Sequence, residues 1–267
     1  MREKIHILIA VFLSSSLALA QDYKKAFNDV QHLFEYRFSV ATDELKNYLE
    51  DYPYNVYEDE IHTMLGVLYT EKEQYKRAIK SFSKVRVKNL SRATEPMYHF
   101  YLGYAYLQLQ DYHSALKEML HIKNKESAYM AHAKYYTGYC YYIQKELQKA
   151  LIEFLIVEQL GDYEQIAPYY IVQIHYAQGE YEKVYKRAEE LLKRYPDNQQ
   201  NNELHRMLGE MYYQDSLYND AVRHLETYRT LCNTNNIEIL RNDMYLLGLS
   251  HYMIRNYQEA ANCLKTI

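Results

Sequence analysis

Eleven histidines, three cysteines and 33 tyrosines are the reactive or aromatic side chains that stand out in this 267-residue chain. A metal ion of the zinc class needs His, Cys or carboxylate ligands at short, regular spacings. No H-E-x-x-H occurs and no Cys/His cluster has such spacing, so neither a metal nor a cofactor is expected. Ser81-x-x-Lys84 and Ser114-x-x-Lys117 match a Ser–Lys nucleophile pattern by letter, but the companion S-D-N and K-T-G motifs are missing. A loop that cradles phosphate needs clustered glycines. Five of the seven glycines here belong to a recurring phrase instead. The residue types therefore point to no enzyme and to no catalytic, cofactor-binding or metal-binding residue.

Seven Gly and four Pro are about a third of the usual share. So few breakers leave little room for hairpin turns and weigh against an all-β fold. A hydrophobic content of 48% rules out low-complexity disorder. The net charge of −4 gives no electrostatic reason to expect a nucleic-acid partner.

Residues 1–20 read as a signal peptide. Arg2 and Lys4 precede an uncharged run from Ile5 to Ala20, which ends Ala18-Leu19-Ala20 before the polar Gln21-Asp22. As a helix that run reaches only about 24 Å, short of a roughly 30 Å hydrocarbon core. Cleavage after Ala20 is expected, with export and no membrane span in the mature chain. Three cysteines, Cys140, Cys232 and Cys263, cannot all pair within one chain. Buried thiols are expected, with a Cys232–Cys263 bridge as the alternative.

The glycine-centred phrase returns as Leu65-Gly66-x-x-Tyr69, Leu102-Gly103-x-x-Tyr106, Thr137-Gly138-x-x-Tyr141, Leu208-Gly209-x-x-Tyr212 and Leu247-Gly248. Nine residues after each Gly stands Tyr75, Tyr112, Leu147, Tyr218 or Tyr257. Twelve after stands Ala78, Ala115, Ala150, Ala221 or Ala260. Sixteen after stands Phe82, Met119, Phe154, Leu225 or Leu264. Degenerate copies centre on Asp29, with Ala41 and Leu45, and on Val172, with Tyr181 and Val184. In this pattern the chain resembles the tetratricopeptide repeat (TPR) family, whose unit is a 34-residue helix–turn–helix. The resemblance implies an all-α fold, a right-handed α-solenoid of antiparallel helix pairs. Small Gly and Ala positions let paired helices approach, and the large positions fill the space between pairs.

The expected repeats run over 22–58 (degenerate), 59–95, 96–130, 131–164, 165–201 (degenerate), 202–240 and 241–267 (incomplete). Leu264 and Ile267 would face a missing neighbour, so a truncated chain is expected there. His62, His99 and His205 share one repeat position, four before the Gly, where TPR proteins carry a large packing residue.

In TPR domains the concave groove is lined by first-helix residues at offsets −6, −3, +1 and +4 from the Gly. The resemblance therefore implies a groove containing Phe100, Tyr104, Tyr135, Tyr139, Tyr142, Tyr169, Tyr176, Tyr213, Tyr245 and Tyr252. Tyr suits a half-wet binding face, because it joins an apolar ring to a polar tip. Tyr69, Tyr106, Tyr141 and Tyr212 fall instead on one packing offset, and Tyr75, Tyr112, Tyr181, Tyr218 and Tyr257 on another. The Lys and Asn clamp with which chaperone-type TPR domains hold a C-terminal carboxylate is absent at the matching positions. A signal peptide ahead of a TPR array is similar to exported bacterial envelope TPR proteins, some described as TonB-system or outer-membrane assembly components. The expectation is a non-catalytic scaffold of the periplasm or outer membrane, binding a protein or peptide segment in the groove. The alternative is a glycan ligand on the same tyrosines, although the chain lacks the lipobox Cys of glycan-capturing relatives.

Overall fold

A computed structural model describes residues 22–37 and 39–265, so the expected signal peptide and Ile267 lie outside the described residues. Every regular element described is helical. The first, α1, covers 22–35, followed by α2 (Ala41–Asp51), α3 (Glu58–Glu71), α4 (Tyr75–Phe82), α5 (Thr94–Gln108), α6 (Tyr112–Ile122) and α7 (Met130–Ile143). Then come α8 (Leu147–Val157), α9 (Ala167–Ala177), α10 (Tyr181–Arg194), α11 (Asn201–Gln214), α12 (Tyr218–Thr234), α13 (Arg241–Met253) and α14 (Tyr257–Lys265). No helix of the described residues is long and apolar enough to cross a membrane. The helices form two compact units, one ending at Gln144 and the other starting at Lys145. That division falls inside the expected fourth repeat. The fold is all-α, an α-solenoid of helix pairs.

Within the first unit α3 packs on α4 and α5, α5 on α6, and α6 on α7. The first helix α3 is enclosed on all sides, with Ile61 through Thr70 all buried, whereas its partner α4 buries only Ala78, Ser81 and Phe82. A helix enclosed all round shows little amphipathic patterning, which is why spacing and not periodicity reveals it. The second unit repeats the scheme, with α9 on α10, α11 on α12 and α13 on α14.

The repeat offsets now have contacts behind them. A Cβ added to Gly66 would lie 2.5 Å from Cε1 of Phe82, and one on Gly209 would lie 2.6 Å from Cγ of Leu225. The Gly and the residue sixteen later thus close each of these hairpins. The Ala twelve later is buried in all five strong copies.

The turn residue seven after the centre is left-handed in six copies. Glu73, Gln110, Lys145, Gly179, Ser216 and Arg255 have φ of 57°, 62°, 63°, 72°, 62° and 64°. Around Glu73 the Gln74 N–H donates to the Tyr69 carbonyl at 2.8 Å and the Glu73 N–H to that of Thr70 at 2.9 Å. Those paired bonds satisfy the last carbonyls of α3. The same pair recurs at Gln110, Gly179, Ser216 and Arg255. In the degenerate first copy the left-handed residue is Arg37 (φ 53°), one position later than the frame, and Asp29 is exposed. Its Ala41 and Leu45 are buried where the frame puts them.

Cys140, Cys232 and Cys263 are buried thiols, not disulfides. Burial pushes the Cys140 thiol up to about 12, which removes its thiolate reactivity at neutral pH.

Candidate binding face

In the first unit, α5 and α7 present their aromatic residues to one another. Phe100 is the hub: its ring lies 5.0 Å from Tyr129, 5.7 Å from His132, 6.2 Å from Tyr104 and 6.2 Å from Tyr136. Tyr104 meets Tyr136 edge-on at 5.5 Å, and Tyr136 in turn meets Tyr135 at 5.2 Å. Such edge-to-face and offset arrangements each add about 1 kcal/mol beyond the area they bury. Beside them Tyr112 at the start of α6 approaches Tyr139 at 6.3 Å. A cleft of about 270 Å³ opens there, walled by Leu107, Tyr112, Tyr135, Tyr136 and Tyr139.

Phe100, Tyr104, Tyr135, Tyr139 and Tyr142 are all half-buried. They are neither core nor freely solvated. Burial pushes the Tyr101 and Tyr136 hydroxyls up to about 12, so both remain protonated and able to donate. Their position, two before the Gly, carries Tyr101 and Tyr136 in consecutive copies. That repetition was visible in the sequence, yet Tyr136 and Tyr129 were missed because neither occupies a groove offset.

The second unit treats its expected groove residues differently. Tyr169 is only 1% exposed, and its hydroxyl donates to Asn201 Oδ1 at 2.9 Å. Its ring is core, contrary to the expectation of a groove residue, because α11 supplies a buried polar partner that draws it inward. Asn201 in turn donates to the carbonyls of Tyr195 and Pro196 at 2.8 and 2.9 Å. Tyr176 is half-buried, its hydroxyl pushed up by burial first and then by the Glu210 carboxylate. Tyr213 is half-buried and packs on Tyr218 at 5.7 Å, while Tyr252 packs on Tyr257 at 5.5 Å. Tyr245 and Tyr252 are exposed, and so are Tyr181 and Tyr257, which the packing offset had placed inside. Between these rings the sixth copy carries charge: Arg206 pairs with Glu203 at 2.7 Å and with Glu210 at 3.4 Å. A larger cleft in this unit, about 770 Å³, is walled largely by charged side chains, among them the pairs Arg187–Glu158 and Arg194–Glu164.

Two of the histidines four before the centre, His99 and His205, meet the residue nineteen later in the chain, on the second helix of the same pair. His99 Nδ1 lies 2.7 Å from Glu118 Oε2, and His205 Nδ1 lies 2.9 Å from His224 Nδ1. His62 and His99 are buried, in keeping with a packing position. No metal-ligand spacing was visible in the sequence, but helix pairing brings His99, Glu118 and His121 together, with one ligand atom from each within 4.8 Å of the others. Burial and then the neighbouring His99 push the His121 imidazole below its ordinary range.

Ser114 N–H donates to the Asp111 carboxylate at the start of α6, and Ser81 is buried in α4.

This arrangement is the fold of tetratricopeptide repeat proteins. A crystal structure of a tetratricopeptide repeat protein from Parabacteroides merdae is similar at 17% identity, covering 92% of both chains with a TM-score of 0.57. The apo form of RapI matches 91% of this chain and 75% of its own, at 14% identity and a TM-score of 0.63. Pseudomonas aeruginosa PilF matches 77% and 88%, at 12% identity and a TM-score of 0.58. Neither a protein-family model nor a curated protein sequence matches the chain.

Proposed function

We propose that the chain is a non-catalytic scaffold of the bacterial cell envelope that holds an extended, apolar peptide segment on the aromatic face of its first unit. The carrying observation is the Phe100–Tyr104–Tyr136 cluster with the adjoining cleft of Tyr112, Tyr135 and Tyr139. Half-buried tyrosine rings offer apolar contact and hydroxyl hydrogen-bonding groups together, which suits a peptide backbone flanked by apolar side chains. The likeness to TPR structures supports an interaction role. The Arg2–Ala20 pattern supports export, with a mature chain beginning at Gln21.

Envelope extract passed over the immobilised mature chain tests this reading. A protein retained by wild type and by Tyr54→Ala, a fully exposed ring away from the face, should be lost on Tyr139→Ala. Equal retention by all three overturns the site. Finding Met1 intact on the native protein by N-terminal sequencing overturns the compartment.

A further inference from the structure

The hairpin of α5 and α6 differs from the others in what surrounds its inward histidine. His99, 5% exposed, is bonded to Glu118 across the helix pair, as His205 is to His224. Here a third group joins. His121, one turn beyond Glu118 on α6, lays its ring parallel to that of His99, with centroids 4.4 Å apart and planes at 16°. Two histidines and a carboxylate from two packed helices then offer one ligand atom each within 4.8 Å of the others.

From this geometry we propose that His99, Glu118 and His121 bind a divalent transition-metal ion of the zinc class. Two imidazoles and one carboxylate form a donor set that such ions take in three-ligand sites, and that Mg²⁺ and Ca²⁺ do not favour. Ligand atoms about 2.0–2.2 Å from a tetrahedral zinc stand roughly 3.3–3.6 Å apart. The triad must therefore close by little more than 1 Å. His121 is exposed and Glu118 sits near the surface, so rotamer adjustment of α6 side chains supplies that movement while the buried His99 stays fixed.

The surroundings also fit. Glu95 Oε1 lies 3.9 Å from His99 Nε2 and is held by Lys125 at 2.7 Å. That carboxylate faces the ring nitrogen which Glu118 does not engage, the usual place of an outer partner that orients a metal-binding imidazole. Lys125 is already neutralised by Glu95, so it does not repel an incoming cation as a bare ammonium would. A metal at His99 Nδ1 replaces the hydrogen bond to Glu118 and leaves the imidazole proton on Nε2, the nitrogen that Glu95 faces. The exposed side of His121 leaves a fourth position for water. Cross-linking α5 to α6 also fixes the helix that carries Phe100 and Tyr104.

The test uses the untagged full chain, stripped with a chelator and titrated with Zn²⁺ alone, then with Mg²⁺. Wild type should take up one equivalent of Zn²⁺ more than His121→Ala, and no Mg²⁺ at this site. Glu118→Gln, which keeps the side-chain shape, should bind that equivalent at least about ten-fold more weakly. Co²⁺ should give visible ligand-field absorption in wild type, and His121→Ala should lose it. The metal-free melting curves of wild type and Glu118→Gln establish that the fold is intact. Equal zinc uptake and affinity in wild type and His121→Ala overturns the assignment, and so does the absence of uptake by wild type.

Discussion

A Cβ placed on Gly66 would stand 2.5 Å from the Phe82 ring, closer than real Cβ contacts come. The two residues are sixteen apart, one on each helix of a pair, and Phe82 is fully buried. Glycine at this position is therefore a steric requirement of the phenylalanine opposite. The same relation links Gly103 to Met119, but there the nearest atom is the flexible methyl end of Met119 at 3.0 Å.

The two glycines should respond differently to alanine. Overpacking a filled core costs about 1–3 kcal/mol, while Gly to Ala inside a helix returns about 1 kcal/mol. Gly66→Ala should be destabilising by about 1–2 kcal/mol in urea unfolding, and Gly103→Ala by less, since beyond the Met119 methyl its Cβ would meet Glu118 Cβ at 3.1 Å and the Ala115 carbonyl at 3.3 Å. Adding Phe82→Leu to Gly66→Ala should recover part of the loss. Equal effects at both glycines would contradict the steric account.

Five of the six left-handed turn residues at this offset are not glycine, and each bears a strain that glycine would remove. Glu73→Gly and Ser216→Gly should each raise stability by about 0.5–1 kcal/mol, provided the side chain makes no compensating contact. Gly179→Ala should lower it by about 1 kcal/mol. Thermal melts of the three variants check the sign in both directions.

The His205–His224 pair should make the second unit sensitive to acid. Burial pushes His205 down to about 4, and burial followed by the neighbouring His205 pushes His224 to about 3. Arg223 donates to His224 Nε2 at 3.2 Å, which leaves His224 Nδ1–H to donate to His205 Nδ1. Both rings are thus neutral when folded, whereas the unfolded chain binds protons near the ordinary value of about 6.5. Stability should be flat above that pH and fall between about 6.5 and 4. The slope is up to about 1.4 kcal/mol per pH unit for each imidazole. Denaturant midpoints measured for wild type and for His205→Phe across pH 4–7.5 should converge at the acid end. Parallel curves would count against the pair as the cause.

Two tyrosines from equivalent helices should separate core from face. Tyr169→Phe leaves the buried Asn201 Oδ1 without its donor and should cost about 1–2 kcal/mol of stability. Tyr139→Ala removes a half-buried ring and should cost less than about 1.5 kcal/mol, yet weaken partner binding by about 2 kcal/mol. Should Tyr139→Ala unfold the chain as readily as a buried truncation, the face is core and the binding proposal fails.

The helix pairs were legible because their signal is steric and local: Gly at the centre, Ala at twelve and a large residue at sixteen. The left-handed turns were not, since backbone hydrogen bonding enforces them on Glu, Gln, Lys, Ser and Arg alike. Among the expected groove residues, Tyr135 and Tyr139 line a cleft in the first unit, whereas Tyr169 is core. An offset fixes where a Cα sits, but what the ring meets depends on the neighbouring helix. Asn201 drew Tyr169 inward, and no spacing within α9 could have foretold it. His99, Glu118 and His121 escaped notice for the same reason, because nineteen residues and a turn separate the first from the second.

Each hairpin that pairs a Gly with its partner sixteen residues on, and ends its first helix with its own turn bonds, is assembled from neighbours in the chain. Contacts of such short sequence separation form early and quickly, ahead of any packing between hairpins. The order of assembly is then set within each pair, and a lesion at one centre should slow one step without scrambling the rest. Amide exchange would show this as protection that rises toward the middle pairs of each unit and fades at its outermost helices.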